Sequence, residues 1–471
     1  MVAIQQEAVT EQLALGVKKA TEQSREILVS IVKKVRGCSP LSVFASAGAL
    51  NINERVFWSE PNGDFQVSAI GAIHTVEAFS DDRYTEATYK WHEIKKGAII
   101  SPHSRPRGTG PLMLGGFSFD EQPVKHKLWS EFPHTKLILP VMMVSFIESE
   151  AWLTINTLVK ANDDVEVKAS EIMKLEQQLL LNVNEHLHRE NLSILSIDEK
   201  AKEDWLNTVD FLASEMRDQL YEKVVLAREL RLKLDQSIQV ENVLQKLLNE
   251  QSTSHIFAFQ FESDCFVGAS PERLVKREGG QFLSTCLAGS TGRGTTVEID
   301  QELGQALLND EKNLHEHQIV VDMIRSAMEI CCSEVDIPTS PILYKARDIQ
   351  HLYTPVVGKA KENVSLLSVV GHLHPTPALG GYPRNVALKK IREHEALERG
   401  WYAAPIGWID YEGNGEFIVA IRSGLIQGNE ASLFAGCGLV GDSNSESEYD
   451  ETRIKFRPML SAIGGVNDAY Q

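Results

Sequence analysis

The chain has 471 residues, 43% of them hydrophobic, which allows one large or two medium domains with a substantial core. With 65 acidic against 47 basic side chains its formal charge is -18, a field that repels polyanions and argues against nucleic acid or an anionic membrane as a partner. The six cysteines (Cys38, Cys265, Cys286, Cys331, Cys332 and Cys437) form no CxxC pair, and neither a signal-peptide core nor a run of about 18 apolar residues is present, so reduced thiols and a cytoplasmic location are expected.

Residues 8 to 35 carry helical periodicity and read as a surface helix packing by one face. From Val56 to about Thr157, β-rich runs alternate with turns; Asn62-Gly63 inside "VFWSEPNGDFQVSAIGAIH" predicts a hairpin, and "KLILPVMMVSFI" a buried strand. Residues 165 to 220 are charged and helical, with "VKASEIMKLEQQLLLNVNEHLHRE" the clearest piece, and could form a connector. Beyond them "EKVVLAREL" reads as a short strand. The stretch "HIFAFQFESDCFVGASPERLVKREGGQFLSTCLAGS" gives several strands with a tight turn at Gly279-Gly280, and residues 309 to 332 an amphipathic helix. Lastly "WIDYEGNGEFIVAIRSGLIQGNEASLFAGCGLV" predicts a three-stranded antiparallel meander turning at "EGNG" and "QGNE". Hairpin-joined strands with helices grouped between them indicate an α+β fold, and without repeats or long linkers a single intimate unit is expected.

Several polar residues fall in apolar places. In "EFIVAIRSGLI" the period of two puts Ile418, Ala420, Arg422 and Gly424 on one face, so the guanidinium needs an anion, either an internal carboxylate or a ligand's. Lys223 shares a face with Val225 and Ala227; it either snorkels outward or, drawn inward and neutral, serves as a general base. Glu316 lies on the apolar face of its helix with Val320 and Met323, where a protein cation or a divalent metal would pair with it. Its neighbours His315 and His317 point to different sides, which disfavours a histidine zinc site. After the Gly436-Cys437-Gly438 turn, Ser445-x-x-Glu448 reads as a capping box. Glu448, Glu451 and Lys455 share one helix face, an arrangement that also suits a hard cation holding an anionic ligand.

The blocks "EKVVLAR", "VGASPERLV", "CLAGSTGRG", "DEKNLHEHQIVVDMI", "IQHLYTPVVG", "LHPTPALGG", "WYAAPIGW", "FIVAIRSGLI" and "AGCGLVGDSNSESEYDETRIK", in this order over residues 215 to 465, resemble the chorismate-utilising enzymes. The resemblance implies large, mostly antiparallel β-sheets packed face to face with helices outside. It also implies a catalytic chorismate-binding portion over residues 211–471 and a β-rich and helical portion over 1–210 of the same unit. Among the branches the chain is most similar to the isochorismate synthases, above all the menaquinone-pathway type. It has "LHPTPALGG", with Ala378 where aminating branches tend to have threonine or serine, and Ala288 where aminodeoxychorismate synthases place a nucleophilic lysine. No glutaminase subunit is expected. By motif, Lys223 resembles the base that activates water, and Glu272 the acid that protonates the departing hydroxyl. Glu316, Glu448 and Glu451 resemble the Mg²⁺ ligands. Arg422, Tyr402, Gly436 and Gly438 resemble the receptor for a substrate carboxylate, while Gly289, Ser290, His351 and Lys455 line the ring pocket. Asn313 departs from the aspartate frequent in related chains.

Overall fold

The computed structural model describes residues 2–80, 82–122, 127–181, 192–345 and 349–464. Helix α1 (Val2–Gln23) stops at Ser24, whose φ is 50°, and strand β1 (Ile27–Val35) follows, so the helix expected over residues 8 to 35 is a helix and a strand. The β-branched run Ile27, Val29, Ile31, Val32 and Val35 explains the change, because these side chains pack better on a pleated surface than on a helix. Next come α2 (Pro40–Ala49), β2 (Arg55–Ser59) and β3 (Phe65–Val76), with the expected hairpin turning through Asn62 and Gly63 at φ 60° and 74°. Helix α3 (Arg83–Lys95) leads to β4 (Ile99–Ser101), β5 (Leu112–Phe117), β6 (Thr135–Ile147) and β7 (Glu150–Val159). The expected helical stretch 165 to 220 contains α4 (Val165–Leu181), β8 (Ile194–Glu199) and α5 (Lys202–Arg217), while residues 182–191 lie outside the described residues.

Strand β9 (Lys223–Leu234) is longer than "EKVVLAREL", and α6 (Val240–Glu250), β10 (His255–Phe261), β11 (Asp264–Ser270), β12 (Arg273–Glu278) and β13 (Gln281–Gly292) succeed it. Then follow α7 (Val297–Leu308), α8 (Glu311–Cys331), β14 (Cys332–Asp336), β15 (Ile342–Lys345), β16 (Ile349–Ala360), α9 (Leu366–Leu373), the two-residue β17 (Gly381–Tyr382) and α10 (Arg384–His394). The chain ends with β18 (Pro405–Asp410), β19 (Gly415–Val419), β20 (Ser423–Gln427), β21 (Glu430–Leu439) and α11 (Ser445–Ile463). The meander thus has four strands, because Arg422 adopts φ 51° and separates β19 from β20.

Hydrogen bonding links the strands into a path that runs β8, β9, β21, β20, β11, β10, β2, β3, β6, β5, β18, β19, β12, β13, β16. A branch leaves β6 through β7 to β1. Among the described residues every pairing is antiparallel except β1 with β4. The pairings of β2 with β10 and of β5 with β18 join the first 210 residues to the later ones. The path folds back over an aromatic core: Trp129 stacks on Phe434 of β21 with centroids 5.4 Å apart, and Trp401 packs on Phe259 of β10 at 5.7 Å. On the other side of Trp401, Gly116 of β5 leaves no room for a Cβ. This is the α+β arrangement of facing antiparallel layers, with α8 packed on β13 and α11 on β21. Five of the six free cysteines are buried, and no described helix is long and apolar enough to cross a membrane.

Candidate active site

The site forms where β9 and β13, far apart along the pairing path, come together beneath α8 and α11. Lys223, the first residue of β9, is only 6% exposed, and its Nζ donates to Glu316 Oε1 of α8 at 2.5 Å. The lysine is therefore drawn inward. Glu316 is partnered by a protein cation, one of the two pairings its place on an apolar face allowed. The neighbouring His317 is buried, held by the Ala288 carbonyl at 2.9 Å and by Thr354 Oγ1 at 2.7 Å; it is a brace, and His315 is exposed.

Glu272 sits in the turn between β11 and β12, half-buried, with its backbone N–H donating to Ser270 Oγ. Burial pushes its carboxyl up to about 7, against the pull of Lys455, Arg422 and Lys223. Those three opposing charges place Glu272 in one neighbourhood with Lys223, Arg422 and Lys455. Arg422 stands at the left-handed break between β19 and β20, so the positive φ and not the strand period sets its direction. Burial lowers its pKa against the support of Tyr402, Glu451 and Glu272. Tyr402 is buried with its ring against Phe434, and burial raises its hydroxyl's pKa.

Gly436, Cys437 and Gly438 are not a turn. They form the end of β21, paired with Ala227, Leu226 and Val225 of β9, where β20 has already ended opposite Phe434. Both glycines allow close approach: a Cβ on Gly436 would lie 3.3 Å from the Tyr402 hydroxyl, tighter than ordinary contact, and one on Gly438 2.8 Å from Lys223 Cε, which would have to shift. The cap of α11 also differs from the expected box. Asn444 accepts from the Ser447 N–H, and Glu448 is instead bonded by Ser443 Oγ at 2.7 Å. Lys455 donates to the Gly436 carbonyl at 2.8 Å and to Glu451 at 2.5 Å. Burial opposes ionisation of Glu451, yet Lys455, Arg422 and Lys223 outweigh it and hold its pKa low. Glu448 is raised, by burial first and also by the charge of Glu451.

Gly289 adopts φ 79° where the register of β13 against β16 slips, a bulge that only glycine forms without strain. Ser290 and His351 are register partners across the same strands, and Ser290 Oγ lies 2.5 Å from His351 Nδ1. Burial, then Arg422 and Lys455, lower His351 to about 4, so it is neutral at physiological pH. Asn313 lies against Gly289, and both its backbone N–H and its side-chain amide donate to Asp310, the cap of α8.

The donors Glu316, Glu448 and Glu451 are all carboxylate oxygens, which suits a hard divalent cation, and the mutual repulsion of Glu448 and Glu451 would be relieved by one. Among the described residues no three His, Cys, Asp or Glu side chains gather closely enough to hold an ion by themselves. A cation here would draw further oxygens from a ligand or water. One supporting pair was not legible in the sequence: Arg399 and Glu395, both deeply buried, are joined at 2.6 Å. Arg399 donates to the Val225 carbonyl at 2.7 Å and Glu395 accepts from the Ala227 N–H at 2.7 Å, bracing β9 just beyond Lys223. Their spacing of four resembles a helical pair, but the segment lies beyond the end of α10 and is not helical.

The chain is 42% identical over 470 residues to isochorismate synthase MenF of Bacillus subtilis, covering 99% of both chains. It is 35% identical to the salicylate biosynthesis isochorismate synthase of Pseudomonas aeruginosa, covering 98% of this chain and 95% of that one. The fold matches the menaquinone-specific isochorismate synthase MenF of Escherichia coli with a TM-score of 0.79 at 22% identity, over 96% of this chain and 100% of that one. The family model for chorismate binding enzymes matches residues 15–464, and the chain belongs to the chorismate-binding enzyme family.

Proposed function

We propose that this chain is an isochorismate synthase, an isomerase that converts chorismate to isochorismate. The observation that carries the reading is the carboxyl of Glu272, pushed up to about 7 by burial while Lys455, Arg422 and Lys223 act on it from the same neighbourhood. The full-length likeness to the Bacillus subtilis enzyme supports the same reaction. We place the product in menaquinone biosynthesis, the use named for the Escherichia coli structural neighbour.

Chorismate is a dianion entering a protein of formal charge -18, so local cations must overcome the overall field. Arg422 and the open edge of β21 at Gly436 to Gly438 receive the enolpyruvyl carboxylate, with Tyr402 beside them. Ser290, His351 and Lys455 border the ring, and Gly289 gives it room. Glu316, Glu448 and Glu451, with oxygens from ligand or water, would hold Mg²⁺, which would supply charge neutralisation for the C1 carboxylate.

Lys223 removes a proton from water as the oxygen bonds to C2. The C1–C2 and C5–C6 double bonds shift to C1–C6 and C4–C5, and the C4 hydroxyl leaves with the proton of Glu272. One water enters and one departs. The proton gained by Lys223 returns to Glu272 before the next turnover, so the reaction is proton-neutral. In the free protein Glu316 holds the Lys223 amine, so the lysine acts as a base once that carboxylate turns to another partner. Because water is the nucleophile, no glutaminase partner is needed.

Pure protein incubated with chorismate and Mg²⁺ should give isochorismate, identified by NMR. Fluorescent salicylate or anthranilate as the main product would overturn the assignment. Exhaustive chelation should abolish turnover and Mg²⁺ restore it; activity that survives chelation would remove the metal from the account.

A further inference from the structure

A cavity of about 670 Å³ opens between the first turns of α3 and α10 and the end of α9. None of the active-site residues described above lines it. Its volume lies within the range of small-molecule sites, roughly 300–1,000 Å³. Three arginines face it. Arg392 is spent on Asp120 through two bonds of 2.6 Å. Arg83, only 3% exposed, donates to Ser118 and to the Asp120 carbonyl, with a long contact to Tyr84, and its buried Nε has no partner. Arg384 donates to the His374 carbonyl. Among the described residues no carboxylate is bonded to Arg83 or to Arg384, and the acids at the rim, Asp82 and Glu121, are solvent-exposed.

The N-terminus of α10 adds to this positive field, whereas that of α3 carries Glu86 in its first turn. Asp82 makes no side-chain cap on α3; α10 starts after Pro383, has no side-chain cap and carries no acid in its first turn. A buried guanidinium without an anion is costly, so Arg83, with the exposed Arg384 beside it on the same cavity, calls for a ligand that brings the anion. His374, 2% exposed, also lines the cavity. The Phe119 carbonyl can only accept, so His374 Nε2 carries the proton for that 3.3 Å bond, and Nδ1 is left as a buried lone pair with no partner. Burial, with Arg83 and Arg384, keeps the ring neutral.

We propose that this cavity is a second ligand site, for a small molecule whose carboxylate or phosphate lies between Arg83 and Arg384. A hydroxyl or N–H of the same molecule donates to His374 Nδ1, and its body rests on Tyr84, Phe119 and Leu388. The proposal is independent of the reaction assigned to the catalytic pocket.

Calorimetric titration of the full chain with inorganic phosphate and with 4-hydroxyphenylacetate tests it, the two probes separating a phosphate from a carboxylate source. At least one should bind one-to-one. Binding should persist in Arg422→Ala, which disables the catalytic anion receptor, and weaken by about tenfold or more in Arg384→Gln, as expected for a lost charge-assisted bond. Because Arg384 also ties the His374 carbonyl, Asn385→Glu is the second variant. It sets a carboxylate in the first turn of α10 without removing any bond the structure shows, and should cause the same loss. The proposal is overturned if neither probe binds below roughly 10 mM, if binding disappears in Arg422→Ala, or if both α10 variants bind as the wild type does.

Discussion

Replacing Gly438 by alanine tests the geometry at the base with a single methyl group. The new Cβ would lie 2.8 Å from Lys223 Cε and 3.3 Å from Nζ. Non-bonded carbons rest at about 3.5–4.0 Å, so the lysine chain must withdraw by about 0.7 Å (3.5 less 2.8). Nζ is meanwhile anchored to Glu316 at 2.5 Å and the Lys223 backbone is paired with Tyr382 of β17, so the amine itself must move. Displacing a reacting group by about 1 Å can cost about 10²-fold in rate. We therefore expect kcat to fall by about 10- to 100-fold in Gly438→Ala. The melting temperature should stay close to wild type, since Gly438 is not among the residues with left-handed backbone and the clash is with a side chain. Steady-state kinetics with chorismate, beside a thermal melt, reads both. Wild-type turnover in a folded variant would refute the placement of Lys223 against Gly438.

Removing the two groups assigned to proton transfer, by Lys223→Ala and Glu272→Gln, should each lower kcat by ~10²–10⁴-fold with the fold retained; near-normal turnover in either removes its role. Arg422→Ala should chiefly raise KM for chorismate, and an unchanged KM would count against its carboxylate contact. Glu272 also makes stability depend on pH. Its carboxyl moves from 4.5 to about 7 on folding, so between those values the folded chain keeps a proton that the unfolded chain releases. Stability from this group is lost as pH rises through that window and levels off above it. Glu272→Gln should therefore gain melting temperature relative to wild type on going from acidic to neutral pH. A difference that does not vary with pH would contradict the shift.

The β-hairpin at Asn62-Gly63, the helix carrying Glu316 and the inward lysine of β9 were legible because each rests on a local pattern: turn chemistry, a 3.6 period or a residue out of place on its face. Strand β1 was hidden because its alternation merges with the preceding helical period until Ser24 breaks the chain. Arg422 was found as a misplaced cation, but the break that directs it was not, since a non-glycine residue at φ 51° has no composition signal. The glycines at 436 and 438 invited a turn, whereas their reason is the arrival of Tyr402 and Lys223 from elsewhere in the chain. The Arg399–Glu395 brace and the cavity between α3, α9 and α10 depend wholly on tertiary contact. Motif order named the candidate site residues; only the fold reveals that Lys223 and Glu316 are bonded to each other in the free protein.

The claim on which the mechanism stands is that a protonated Glu272 delivers its proton opposite Lys223. The pH profile of kcat/KM, which reports ionisations of the free enzyme, measures this most directly in wild type and in Glu272→Gln. The wild type should lose activity along a limb centred near pH 7, the value to which burial pushes that carboxyl. The variant should retain only a low rate from which this limb is missing. A limb that remains in place in Glu272→Gln would show that the acid lies elsewhere.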